Sequence, residues 1–167
     1  MAELNQLEFS KGYNRSNFTG FVRKPKETPS AKIIVHSIDM YLSGSLYDPH
    51  FSYSAATNSY DRSEDGAPHI DANTGKQLSP KVVIAMIVPK AQGALDSSGA
   101  YYSDYQFIGT GSVFIYQDGF VQTGGWTKKD NASQITFTDA AGKPIALNPG
   151  QTWITAVSDP SKVTATP

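Results

Sequence analysis

The chain has 167 residues, a formal net charge of −1 and no cysteine. That length supports one domain with an ordinary core, since chains of about 150 residues bury roughly 70% of their unfolded surface. Balanced charge argues against a general grip on nucleic acid, the missing thiols exclude thiol catalysis, Cys-ligated zinc and disulfides, and no apolar run approaches the ~20 residues of a membrane-spanning helix.

Residues 1–30 are polar and broken by Gly12, Gly20, Pro25 and Pro29. Phe9, Tyr13, Phe18 and Phe21 follow no regular period, which predicts an irregular arm that packs through its aromatics. Arg23, Lys24 and Lys26 lie among prolines and read as a solvated linker. The main domain is expected over 31–160, with 161–167 as a tail. The first strand is predicted at Lys32–Ile38, where Ile33, Ile34, Val35 and Ile38 crowd β-branched side chains together. Val82–Val88 is apolar throughout and ends at Pro89, the pattern of a central strand buried on both faces.

A Ser-, Gly- and Asp-rich connection follows over 91–100, and then Tyr101, Tyr105 and Phe107 recur on one side of an alternating segment. Ser112–Tyr116 and Phe120–Trp126 flank Asp118-Gly119, a pair suited to the positive φ angles of a two-residue hairpin turn. Gly124 and Gly125 predict a bulge or a close backbone approach before Trp126. Gln134–Thr138 puts Ile135 and Phe137 on one face, and turns are expected at Asp139–Gly142 and Pro149-Gly150. Gln151–Val157 closes the pattern, with Trp153, Thr155 and Val157 opposite Ile154. No window shows a strong helical period. The expectation is a mainly β domain, with α+β as the alternative, built as an antiparallel sheet or partly closed barrel of about eight strands.

Two stretches carry a further signal. The first runs Phe51-Ser-Tyr-Ser, Tyr60-Asp-Arg62, Gly66-Ala-Pro-His69-Ile-Asp71 and Thr74-Gly75 into the apolar strand. The second runs Gly109-Thr-Gly111, Asp118-Gly119, Gly125-Trp126-Thr-Lys128, Phe137-Thr-Asp139-Ala-Ala-Gly142-Lys-Pro144 and Gly150-Gln-Thr-Trp153. In order and spacing they resemble the C-terminal domain of the YerB family of bacterial cell-envelope lipoproteins, a domain of unknown function. One departure is Lys81-Val82 where the family pattern has Asn-Val. The resemblance implies an extracytoplasmic, envelope location, with any lipid anchor outside this chain, and brings no settled activity.

The best polar constellation is Tyr60, Arg62, His69 and Asp71. If 58–62 and 68–71 are extended, each pair shares a face, and a loop over 63–67 can fold the pairs opposite each other. Asp71 can then orient His69, Arg62 can hold an anion in two hydrogen bonds, and Tyr60 can donate to a bound oxygen. Three readings stay open for the four: a satisfied structural network, a ligand-binding pocket, and an acid–base pair. Asp71-x-Asn73-x-Gly75 reads as an Asx turn rather than a calcium loop, so neither metal nor other cofactor is expected. His36 reads as a core or edge histidine, and His50 as a turn residue. Gly109-x-Gly111 leads into a strand, whereas a phosphate loop opens a helix. Trp126 and Trp153 fit the core, and exposed tyrosines on the Tyr101–Tyr105 segment are candidates for a binding surface.

These features favour a non-catalytic ligand-binding or scaffold module of an envelope lipoprotein, with a cell-wall component or envelope protein as partner and no nucleic acid. The alternative is an envelope hydrolase or transferase using His69 and Asp71 as acid and base.

Overall fold

Apolar alternation and turn chemistry produce twelve strands in three sheets among the described residues, which are 6–7, 9–10, 18–31 and 34–167 of a computed structural model. The first sheet contains β1 (Ser37–Met40), β2 (Pro49–Ser54), β3 (Ser59–Glu64) and β4 (Ala67–Pro68) as a meander, with the last strand of the chain, β12 (Val163–Thr166), paired to the free side of β1. The second contains β5 (Val82–Ile87), β8 (Gly109–Gln117), β9 (Phe120–Lys128), β10 (Thr136–Thr138) and β11 (Thr152–Val157), in the order β10-β9-β8-β5-β11. Between them in the chain, β6 (Lys90–Leu95) and β7 (Tyr101–Tyr105) form a separate two-stranded hairpin.

The mainly β expectation holds, and no sheet closes into a barrel. Pairing is antiparallel except between β5 and β11, which run parallel. A parallel neighbour needs a long crossover, and the whole β6–β10 excursion supplies it.

β5 shows why the sandwich is stable. Its side chains alternate between two cores: Val83 and Ala85 meet Ile38, Met40, Phe51 and Tyr60 of the first sheet. Val82, Ile84 and Met86 point the other way, against Trp126, Phe137, Ile145 and Leu147. Each such aliphatic side chain contributes about 1.5–3 kcal/mol by leaving water. The predicted two-faced burial of this strand is observed.

Several expectations are corrected. Lys32 and Ile33 lie outside the described residues, and the first strand begins at Ser37, with Val35 buried but Ile34 partly exposed. Residues 34 and 35 instead donate their backbone N–H groups to the Gly119 carbonyl, at 2.9 and 3.1 Å. The segment expected as a tail carries a 3-10 turn at Pro160–Lys162, capped by Asp159, and then β12. His36 is neither core nor edge: its side chain is exposed just before β1, and its backbone bonds to Thr166 on one side and Tyr53 on the other, while His50 lies within β2.

The arm does pack through aromatics where it is described: Phe18 meets Phe21, and Phe21 meets Phe137, each pair at 5.3 Å between ring centroids. Phe9 is exposed, and Tyr13 lies outside the described residues. The basic stretch is no solvated linker. Arg23 donates to the Asn148 carbonyl and to Thr152 Oγ1, both at 2.8 Å, and Lys24 reaches a buried carboxylate. Nothing local in the sequence announces these partners, which lie more than ninety residues away.

Candidate functional site

Tyr60, Arg62 and Glu64 alternate onto the inner face of β3, and the chain then folds back through β4. The Arg62 guanidinium makes a two-pronged bond to Glu64 at 3.2 and 3.0 Å and lies over the Trp153 ring, 4.5 Å from its centroid. His69 Nδ1 is a direct hydrogen-bond partner of Arg62 Nη1 and stands 3.6 Å from Glu64 Oε2, and its ring is T-shaped to that of Trp153, at 68°. Arg62 is only 4% exposed, and its Nε has no partner among the described residues.

The other two predicted residues go elsewhere. Tyr60 is fully buried beside Tyr53, and its hydroxyl accepts from the Gly119 N–H at 3.2 Å. Burial pushes its phenol above the usual value, with the Gly119 bond opposing. Asp71 Oδ1 accepts from both the N–H and the hydroxyl of Thr74 at 2.8 Å, the expected Asx turn, and those bonds hold its carboxyl below the usual range. Asp71 therefore gives its carboxylate to its own turn instead of orienting His69. Arg62 and His69 come together; the four groups do not converge. The reason is positional: Tyr60 lies deeper in the sandwich than Arg62, and β4 ends at Pro68, before His69 and Asp71.

A second histidine constellation lies on the outer face of the same sheet. His50 Nδ1 is 2.7 Å from Asp39 Oδ1, and His50 Nε2 is 3.0 Å from Ser52 Oγ. The order matches a nucleophile, base and orienting acid. β2, however, is paired on both sides, so backbone N–H groups around Ser52 are engaged in ladders and unavailable to stabilise an oxyanion. It is a polar chain on the sheet surface.

The densest polar assembly is one that residue-type reasoning missed. Asp118 and Gly119 do form the predicted turn, with φ of 59° and 68°. Yet Asp118 is only 5% exposed, because the arm crosses over it. Its carboxylate accepts from Lys24 Nζ at 2.6 Å, Asn58 Nδ2 at 2.9 Å and Asn148 Nδ2 at 2.7 Å. Burial by itself would raise this carboxyl, but those three bonds outweigh it and hold the group below its usual range.

Asn58 also donates to Glu27 and accepts from the Tyr53 hydroxyl, and Glu27 pairs with Lys81 at 3.0 Å. Lys81, the departure from the family pattern, thus ties the arm to the β2–β3 turn, where it also donates to the Thr57 carbonyl. The only advance signal was an aspartate at a hairpin turn with lysines far away in the sequence.

Beside this hub an open cleft of about 520 Å³ runs between the arm, the tip of the β8–β9 hairpin and the 139–146 turn. Phe120, Gln122, Lys24, Thr28, Asp139 and Lys143 are among its walls. Gly124 sets the geometry: a Cβ there would overlap the Thr138 carbonyl and Ile145, so the 138–145 segment lies directly on β9. This is the close backbone approach expected at that glycine. The exposed tyrosines predicted as a binding surface, Tyr101 and Tyr102, lie on the separate hairpin.

A family model described as the C-terminal domain of a protein of unknown function, DUF3048, matches residues 38–154. The crystal structure of YerB protein from Bacillus subtilis is similar at a TM-score of 0.73 and 20% identity, over 98% of this chain and 53% of that one. This chain therefore spans about half the length of that protein, and the likeness is one of fold. No curated protein matches it.

Proposed function

Because this chain belongs to the family of DUF3048 C-terminal domains, we propose that it is a ligand-binding or scaffold module of a bacterial cell-envelope lipoprotein, working through the cleft beside Asp118. The cleft carries the reading. Its floor is held in place before any ligand arrives, because Asp118 is fixed by three side-chain donors from three separate segments. A pre-ordered site loses less conformational entropy on binding. Its size falls in the range of small-ligand sites.

The Arg62–Glu64–His69–Trp153 cluster acts in this reading as a brace, locking the end of β3 against β11. Its guanidinium is already engaged by Glu64 and stacked on Trp153, which leaves little to offer an anion. The envelope setting rests on family resemblance. A cell-wall component is the partner proposed.

The test is sedimentation of the purified protein with isolated cell-wall sacculi. Wild type is expected to co-sediment, Gln122→Ala and Lys143→Glu to lose most of that binding, and His69→Ala to keep it. Loss through Tyr101→Ala with full binding by the two cleft variants would move the surface to the β6–β7 hairpin. Absence of binding by wild type would remove the proposal.

A further inference from the structure

We infer that the cleft takes an uncharged oligosaccharide, the glycan rather than the peptide or the anionic polymer of a wall; the inference rests on the binding reading above. Charge is the first argument. Lys24 is neutralised by Asp118 at 2.6 Å, and the remaining formal charges of the walls, Asp139 and Lys143, cancel. A polyanion would meet as much negative as positive charge, and binding by counterion release needs clustered cations.

Chemistry of the walls is the second. Phe120 and Gln122 are two apart on β9 and so share the cleft face. Phe120 is 45% exposed at the hairpin tip, its ring a flat apolar surface in a cleft shared with an amide, a carboxylate, an ammonium and the Thr28 hydroxyl. Lys143 has no ion-pair partner among the described residues. A pyranose ring presents the matching pair of surfaces, C–H groups for the aromatic face and hydroxyls that both donate and accept around the rim. The mixture of donors and acceptors satisfies such hydroxyls without a surplus of either charge.

The experiment is calorimetric titration of the full chain with tri-N-acetylchitotriose, beside polyglycerol phosphate and a neutral tetrapeptide, at low and high salt. The expected result is saturable binding of the sugar, insensitive to salt, and weakened about tenfold or more by Phe120→Ala, as loss of an aromatic contact predicts. Gln122→Ala is expected to weaken it too, with the melting temperature of both variants unchanged. Sugar binding unaffected by either variant would overturn the inference, as would preference for the polyanion or the peptide. Sacculi binding that depends on Lys143 while the sugar fails to bind would overturn the glycan assignment alone, whereas failure of sacculi and sugar together would remove the binding role as well.

Discussion

A single carboxylate carries much of the structural logic at the residue scale. Asp118 occupies a turn position that requires positive φ, and its side chain faces inward to three donors. Removing it would take away the acceptor shared by an ammonium and two amides, leaving Asn148 Nδ2 without its partner and Lys24 without its counter-charge. We expect Asp118→Ala to cost about 3 kcal/mol in urea unfolding. Asp118→Asn should cost clearly less, since asparagine tolerates the left-handed backbone and keeps an acceptor.

The pH dependence has a definite sign. A carboxyl held below its unfolded value stabilises the fold fully above that value and loses the contribution as pH falls through the folded value. Wild type should therefore weaken below about pH 4, near the unfolded carboxyl value. Asp118→Asn should show a shallower loss in the same window, the rest coming from other depressed carboxyls such as Asp71 and Glu27. Equal slopes for the two proteins would show that the bonds to the Asp118 carboxylate contribute nothing to the pH dependence.

The hairpin β8–β9 and the segment lying on it decide, at the scale of elements, whether there is a cleft at all. Sequence spacing predicted the turn and, as one of two alternatives beside a bulge, the close approach found at Gly124, because both are local consequences of φ and of a missing Cβ. Gly124→Ala should drive the 138–145 segment off β9, costing about 1–3 kcal/mol and lowering the melting temperature by about 2–4 °C for each of them. Gly125→Ala has no comparable obstruction, its nearest contact being 3.7 Å, and serves as the control. Similar losses for both would mean that intrinsic strand preference, and not overlap with Thr138, sets the cost. The four-residue pocket failed at this same scale. Two-residue alternation correctly put Tyr60 and Arg62 on one face, but a face has depth: Tyr60 lies in the core and Arg62 nearer the rim.

The whole molecule depends on the two ends of the chain covering what the sheets leave open. β12 caps the side of β1 that would otherwise present unpaired N–H and C=O groups, a template for pairing with other chains. Removing residues 163–167 should lower the melting temperature and produce dimers or larger species in size-exclusion chromatography; an unchanged, monodisperse profile would show that β1 needs no cover. At the other end, the described arm covers the second core with Phe21 and supplies Lys24 to Asp118.

The sequence by itself determined the β class, the doubly buried β5, the Asp118-Gly119 turn and the family pattern, because each is written in periodicity or in neighbouring residues. Tertiary structure alone decided that an arm with a linker's composition would seal a turn and that a tail would become an edge strand. Those outcomes depend on segments brought together from opposite ends of the chain, where competing hydrogen-bond partners are chosen by distance in space and not by spacing along the backbone.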